Sequence, residues 1–167
     1  MSKVRWGIIG PGSIANNFAD ALQSCFSGEL KGIASTSDER LNNFGNKYNI
    51  DSSFRFTNYE ELLNSEDIDA IYISTPHTFH ADLTIKAAGK GKHILCEKPA
   101  AVNFKEGQRV IEAVQQAGVF YKEGFMYRCH PQIPGLIKLI KEKKIGKIQR
   151  IVSSYGFDMG KTVPESR

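Results

Sequence analysis

Short apolar runs alternate along the chain with longer stretches in which apolar residues recur every three or four positions. Residues 4–9 form the first run, and Gly10-Pro11-Gly12 closes it. This reads as a buried strand followed by a tight turn. From Ser13 the period lengthens: Ile14, Phe18 and Leu22 share a helical face, so a helix is expected to about Phe26, with Gly28 closing it. Residues 30–34 predict a second strand, and Leu41, Phe44 and Tyr48 mark a second helix. Residues 54–57 predict a short third strand, and Asn58 with Glu61 signals a helix cap. Residues 68–74 predict a fourth strand ended by Thr75-Pro76, and Ala81, Ile85 and Ala88 then stripe a helix that Gly89 or Gly91 ends. Residues 93–96 predict a fifth strand, followed by Glu97-Lys98-Pro99. Asn103 and Glu106 cap a helix carrying Val110, Val114 and Ala117, with Gly118 beyond its end and a sixth strand at 119–121.

Strands alternating with helices of this length predict a doubly wound α/β fold: a parallel Rossmann-type sheet with right-handed crossovers, over residues 1–127. The pattern changes near Pro131. Ile133, Leu136, Ile137 and Ile140 mark a helix ended by Gly146, and residues 148–157 alternate like a half-exposed strand. Residues 128–167 are therefore expected to be a linker helix and the first strand of a truncated second α/β domain. Such a strand lacks sheet partners and is marginal alone. Residues 160–167 show no clear element.

Composition narrows the class. The 167 residues are 41% hydrophobic and 24% charged, which permits a packed core and argues against disorder. The net charge of +4 is spread out, apart from the stretch 141–147, and suits anionic small ligands as well as nucleic acid. Cys25, Cys96 and Cys129 are odd in number and widely spaced; no metal-ligand or disulfide pattern emerges, so a reducing cytoplasm and no metal are expected. No signal-peptide pattern opens the chain, and no apolar run approaches the roughly 20 residues that span a bilayer.

Gly10-Pro11-Gly12-Ser13-Ile14-Ala15 fits G-x-G-x-x-A at the first strand–helix junction. Gly10 permits the turn, Gly12 lets backbone approach a pyrophosphate, and Ala15 lets helix pack on sheet. A plain tight turn is the alternative; the strand–turn–helix context favours dinucleotide binding through the backbone of Gly10, Gly12, Ser13 and Ile14. An NAD enzyme wants an acidic residue about 20 positions past the turn. Here Ser35-Thr36-Ser37 stands there, with Asp38 and Arg40 beyond. Ser35, Thr36 and Arg40 suit a 2′-phosphate, so NADP is preferred over NAD, unless Asp38 reaches the ribose. The missing acid also argues against a methyltransferase built on the same turn.

The stretch Asp67 to Pro99 carries Ser74-Thr75-Pro76-His77-Thr78-Phe79-His80 and then Gly91-Lys92-His93-Ile94-Leu95-Cys96-Glu97-Lys98-Pro99; Lys122-Glu123-Gly124-Phe125-Met126-Tyr127-Arg128 follows. In this order, with the glycine turn, these motifs resemble the glucose–fructose oxidoreductase and inositol dehydrogenase family, in its dihydrodiol and xylose dehydrogenase branch. The resemblance implies an enzyme: a Rossmann domain followed by an α/β domain whose open sheet covers the nicotinamide. It implies hydride exchange between NAD or NADP and a hydroxyl carbon of a sugar, polyol or related diol, with Lys98 catalytic and in contact with substrate. It places a further motif beyond Arg167. Neither nucleic acid nor membrane is expected as a partner. A homo-oligomer is expected of the full-length protein. The rival is a dinucleotide-binding module or fragment without catalysis.

Individual residues divide between chemistry and packing. Lys98 follows the fifth strand at the sheet edge where such folds bind ligands, although most lysines are simply solvated. Glu97 is assigned to the cofactor ribose, with pairing to Lys98 as the alternative. Thr75 and Pro76 are expected to line the cofactor channel, and His80 to join them unless it caps its helix. Glu123 is assigned to the cofactor and Arg128 to substrate, or the two pair with each other. His77 is evenly balanced between site and exposed turn. His130, Trp6 and Cys96 read as packing residues.

Overall fold

A computed structural model describes residues 2–156. Six parallel strands form one sheet in the order β3-β2-β1-β4-β5-β6. The strands are β1 (Val4–Ile9), β2 (Gly28–Ala34), β3 (Arg55–Phe56), β4 (Ala70–Ile73), β5 (His93–Cys96) and β6 (Tyr121–Glu123). Helices α1 (Ser13–Gln23), α2 (Asp38–Lys47), α3 (Tyr59–Asn64), α4 (His80–Gly89), α5 (Phe104–Ala117) and α6 (Gln132–Lys141) connect and follow them. The strand order reverses outward from β1 and β4, as in doubly wound folds that bind ligands at the carboxyl ends of such strands.

Strand alternation builds both layers. Successive side chains leave a strand on opposite faces, so neighbouring residues feed different cores. Ile8, Ile33 and Tyr72 pack with Ala15 and Ala19 of α1 and Leu41 and Phe44 of α2. Their neighbours Ile9, Ala34, Ile71 and Ile73 pack with Leu62 and Leu63 of α3, Ala81 and Ala87 of α4, and Val110 and Val114 of α5. Each fully buried Ile or Leu adds about 1.5–3 kcal/mol. Caps set the helix starts: Ser37 accepts from Arg40 N, Asn58 from Glu60 N and Asn103 from Glu106 N. Gly118, at φ 65°, closes α5 in the left-handed region.

Several boundaries differ from the sequence expectation. Helix α1 stops at Gln23, because its apolar stripe ends at Leu22 and Phe26 is 97% exposed. Gly28 does not close a helix; it opens β2 opposite Val4. A Cβ on Gly28 would lie 3.0 Å from Trp6 Nε1, so the close approach requires glycine. The fourth strand begins at Ala70, with Ile68 buried just before it. The sixth strand runs from Tyr121 to Glu123, not 119–121, because Ile94, Leu95 and Cys96 of β5 pair with those residues. Helix α6 ends at Lys141, with Lys143 already at φ 55°, well before Gly146. Residues 148–156 form no strand. An alternating pattern without a neighbour has no ladder to join. Position 157 of that expected strand lies outside the described residues. The chain divides into two compact units, the first ending at Phe125 and the second beginning at Met126.

Candidate active site

The glycine turn at the end of β1 is built by backbone. Gly10 sits at φ +92°, where L side chains are strained. A Cβ there would also lie 3.0 Å from Thr75 Cγ2 and 3.1 Å from Thr75 N. Gly10 N donates to Ala34 O at 3.1 Å, and Gly12 N to Gly10 O at 2.9 Å. Gly12 is the N-cap of α1 and supplies no capping side chain, and a Cβ at this position would meet nothing within 4 Å. The first-turn N–H groups at Ser13 and Ile14 thus start α1 without a side-chain acceptor.

A cleft of about 500 Å³ opens over this turn. It is lined by Gly10, Pro11 and Gly12 of the turn, by Ser35, Thr36 and Arg40 after β2, and by Tyr59, Ser74, Thr75, Pro76 and Phe79. Of the residues assigned to a cofactor from sequence, Gly10, Gly12, Ser35, Thr36, Arg40, Thr75 and Pro76 all line it. Tyr59 and Phe79 were missed. Both adjoin residues already singled out, Asn58 and His80, but their own sequence context reads as packing. The Ser35 hydroxyl is turned to local use, accepting from Ser37 N at 3.1 Å. Among the described residues no carboxylate lines the cleft, and Asp38 is not part of its wall. Thr75 Oγ1 is buried without a hydrogen-bond partner. Bare backbone donors, an arginine and no acid fit a polyanionic dinucleotide.

The lysine loop leaves β5 at the adjacent strand end. Glu97 N donates to Ile73 O at 2.9 Å, which holds the loop beside β4. Lys98 is exposed, and its ammonium has no ion pair or hydrogen bond among the described residues. The Lys98–Pro99 peptide bond is cis. Glu97 Oε1 accepts from the buried Tyr72 hydroxyl at 2.7 Å, and its Oε2 from Lys98 N at 3.3 Å. Burial and Glu97 push the Tyr72 phenol above its ordinary range. Glu123 Oε1 accepts from Ala100 N at 2.8 Å, so this carboxylate shapes the loop after Lys98.

His80 takes a different place from the one its motif suggested. Its ring is 2% exposed; Nδ1 lies 2.8 Å from Pro99 O and Nε2 2.8 Å from Thr75 O. Both nitrogens are spent on the protein's own carbonyls, tying the loop after Lys98 to the end of β4, and the ring does not line the cleft. His77 is exposed in the turn before α4. Arg128 belongs to the second unit, exposed in the 3-10 helix Met126–Cys129. Cys96 is fully buried, and burial pushes its thiol up to about 12, as suits a small apolar residue. Trp6 packs edge-on against Phe18 at 5.2 Å. Among the described residues no group of three or more His, Cys, Asp or Glu is placed to hold a metal. Nor is any helix among them long and apolar enough to cross a membrane.

Known proteins resemble this chain in sequence and in fold. Trans-1,2-dihydrobenzene-1,2-diol dehydrogenase of Xenopus tropicalis is 33% identical over 94% of this chain and 48% of its own. The NADP(+)-dependent scyllo-inositol 2-dehydrogenase of Bacillus subtilis is 32% identical over 91% of this chain and 45% of its own. A 3-ketoreductase from Actinomadura kijaniata, solved with NADP, superimposes with a TM-score of 0.80 at 30% identity, over 89% of this chain and 47% of that one. The chain therefore spans about half the length of the relatives it matches. The model of the oxidoreductase family with an NAD-binding Rossmann fold matches residues 4–125, and the chain belongs to that family.

Proposed function

We propose that this chain is the dinucleotide-binding part of an NADP-preferring oxidoreductase acting on a hydroxyl carbon of a sugar, polyol or related diol. The observation that carries this reading is a lysine that is exposed and unpaired among the described residues, at the carboxyl end of β5. That strand lies next to β4, whose end leads into a cleft over the glycine turn lined by no carboxylate among the described residues. The cleft suits the cofactor: Gly10, Gly12, Ser13 and Ile14 hold the pyrophosphate by backbone, and Ser35, Thr36 and Arg40 take a 2′-phosphate that a carboxylate would repel. The bound dinucleotide supplies the hydride acceptor or donor. Alcohol oxidation also releases a proton, and Lys98 takes it from the hydroxyl on Nζ; in reduction the same ammonium donates toward the carbonyl oxygen. Glu97, Thr75, Pro76, His80 and Glu123 shape the cofactor side of this centre, the last two through the loop they anchor, and Arg128 is assigned to the substrate. We also assign the reaction to the cytoplasm, because three odd, widely spaced cysteines offer no disulfide pattern, and the full-length protein to a homo-oligomer.

Dissociation constants for NADP and NAD, measured side by side on this chain, test the cofactor; tighter NAD binding would overturn the preference. A substrate panel on the full-length gene product tests the reaction. Lys98→Met there should lower kcat by a factor on the order of 10² or more with cofactor affinity nearly intact. Near-normal turnover would leave Lys98 outside the chemistry.

A further inference from the structure

Adjacent glutamate and lysine side chains readily pair, and Glu97 and Lys98 are adjacent. Here they do not pair. Glu97 Oε1 is engaged instead by the Tyr72 hydroxyl at 2.7 Å. Tyr72 comes from the middle of β4 and is 3% exposed. Its ring is fixed from the other side by Phe18 of α1, stacked at 4.2 Å with 30° between planes. Phe18 is in turn held edge-on by Trp6. On the β6 side, Gly124 leaves room for the carboxyl; a Cβ there would lie 3.1 Å from Glu97 Oε1. Gly124 N donates to Cys96 O at 2.8 Å, so this wall is pinned to β5.

We propose that Tyr72 is a positioning residue for Lys98: its hydroxyl, locked under the sheet by Phe18, captures the Glu97 carboxylate and keeps it from neutralising the lysine. This rests on the assignment of Lys98 as the proton-transferring group. The logic is competition for one carboxylate. An opposite charge within about 4–6 Å favours the ammonium, and a lysine so paired is a poor proton acceptor. A hydroxyl donating to a carboxylate makes a short, charge-assisted bond that takes one oxygen out of that competition. The phenol remains a donor, because burial and Glu97 hold its ionisation above the ordinary range. The Tyr72 hydroxyl bonds to Glu97, and the residue is not part of the cleft lining.

The test reads amine reactivity, with neither cofactor nor substrate present. Trace acylation with isotope-labelled acetic anhydride, followed by peptide mass spectrometry, gives the rate at Lys98 relative to the chain's other lysines. Tyr72→Phe removes one oxygen and keeps the ring on Phe18. It should slow Lys98 acylation about 3- to 10-fold, as the released Glu97 swings onto the ammonium. Glu97→Gln should leave Lys98 at least as reactive as in the parent chain, and the double variant should match Glu97→Gln alone. An unchanged rate in Tyr72→Phe overturns the proposal, and so does a loss that persists in the double variant, since that would be structural damage. Glu97→Ala gives a second reading, because removing the carboxylate altogether should also leave Lys98 fully reactive; slowed labelling there counts against the proposal. The oxidoreductase assignment fails separately, through absent dinucleotide binding or turnover.

Discussion

Cys96 and Lys98 stand two positions apart at the end of β5 and have opposite fates. The thiol is fully buried and its ionisation is pushed up to about 12 by burial, so near neutrality it remains a protonated, inaccessible group. Cys25 is half-buried and Cys129 is exposed. A thiol reagent at pH 7–8 should therefore label Cys25 and Cys129 in the folded chain and reach Cys96 only after denaturant is added. Rapid modification of Cys96 in the native protein, read by peptide mass spectrometry, would show that β5 opens or is misplaced. The lysine escapes burial because β5 ends at Cys96, and Glu97 N then bonds to Ile73 O, which carries the chain out at the sheet edge. The thiol's fate follows from alternation along a four-residue strand whose even positions, Ile94 and Cys96, face the α4–α5 layer; Lys98 is the next even position, but it lies past the strand's end.

At the scale of elements, the two turn glycines serve different ends, and substitution should separate them. Gly10→Ala places a Cβ 3.0 Å from Thr75 Cγ2 at a φ of +92°, so it should destabilise the chain by about 1–3 kcal/mol. Gly12→Ala meets no protein atom within 4 Å, so it should leave the melting temperature nearly unchanged while weakening dinucleotide binding on calorimetry. Unchanged affinity in Gly12→Ala would misplace the pyrophosphate. The pairing of β1 with β4 has a separate support: Arg5 Nη2 lies 2.7 Å from Asp69 Oδ1, and Asp69 Oδ2 accepts from Arg5 N at 2.8 Å. The bond to Arg5 holds the Asp69 carboxyl below its ordinary value of 3.8. A depressed carboxyl stabilises fully above that ordinary value and loses its contribution as pH falls through the lower folded one. Asp69→Asn should thus lower stability at pH 7 and flatten its acid dependence below about pH 3.8; an identical acid profile would remove Asp69 from that role. The elements themselves were legible because each carries its own period: Ile14, Phe18 and Leu22 for α1, and the runs leading to Gly10 and Thr75-Pro76 for β1 and β4. Their ends were less legible. Phe26 continues the helical spacing but finds no core, and β6 takes its register from β5, which no local pattern encodes. The cleft residues Ser35, Thr36 and Arg40 were readable from their distance past the glycine turn. Tyr72 was not, since one tyrosine in an apolar strand looks like packing until Glu97 comes within 2.7 Å through the fold. His80 misled for the converse reason: a polar residue in a ligand-binding motif proved to be buried between two backbone carbonyls.

At the scale of the whole molecule, every buried residue among those described lies before Phe125. Both core clusters draw their residues from positions between Ile8 and Val114, with partly buried neighbours reaching only Tyr121. No residue from 126 to 156 is buried, although α6 carries an apolar stripe of Leu136, Ile137 and Leu139, each nearly half exposed. Hydrophobic burial is the main favourable term in folding, so the unit that contains it should carry the stability. The cleft and the lysine loop also lie wholly within it. A chain cut after Phe125 should therefore unfold cooperatively, with its midpoint within about 4 °C of the 167-residue chain. Its affinity for NADP should stay within about twofold, because every residue assigned to the dinucleotide remains. A drop of more than about 10 °C would correspond to roughly 2 kcal/mol or more in a domain of this size. That result would mean that residues after 125 bury surface that the core clusters do not account for. Intact stability with lost NADP binding would instead put part of the dinucleotide site beyond the Rossmann unit.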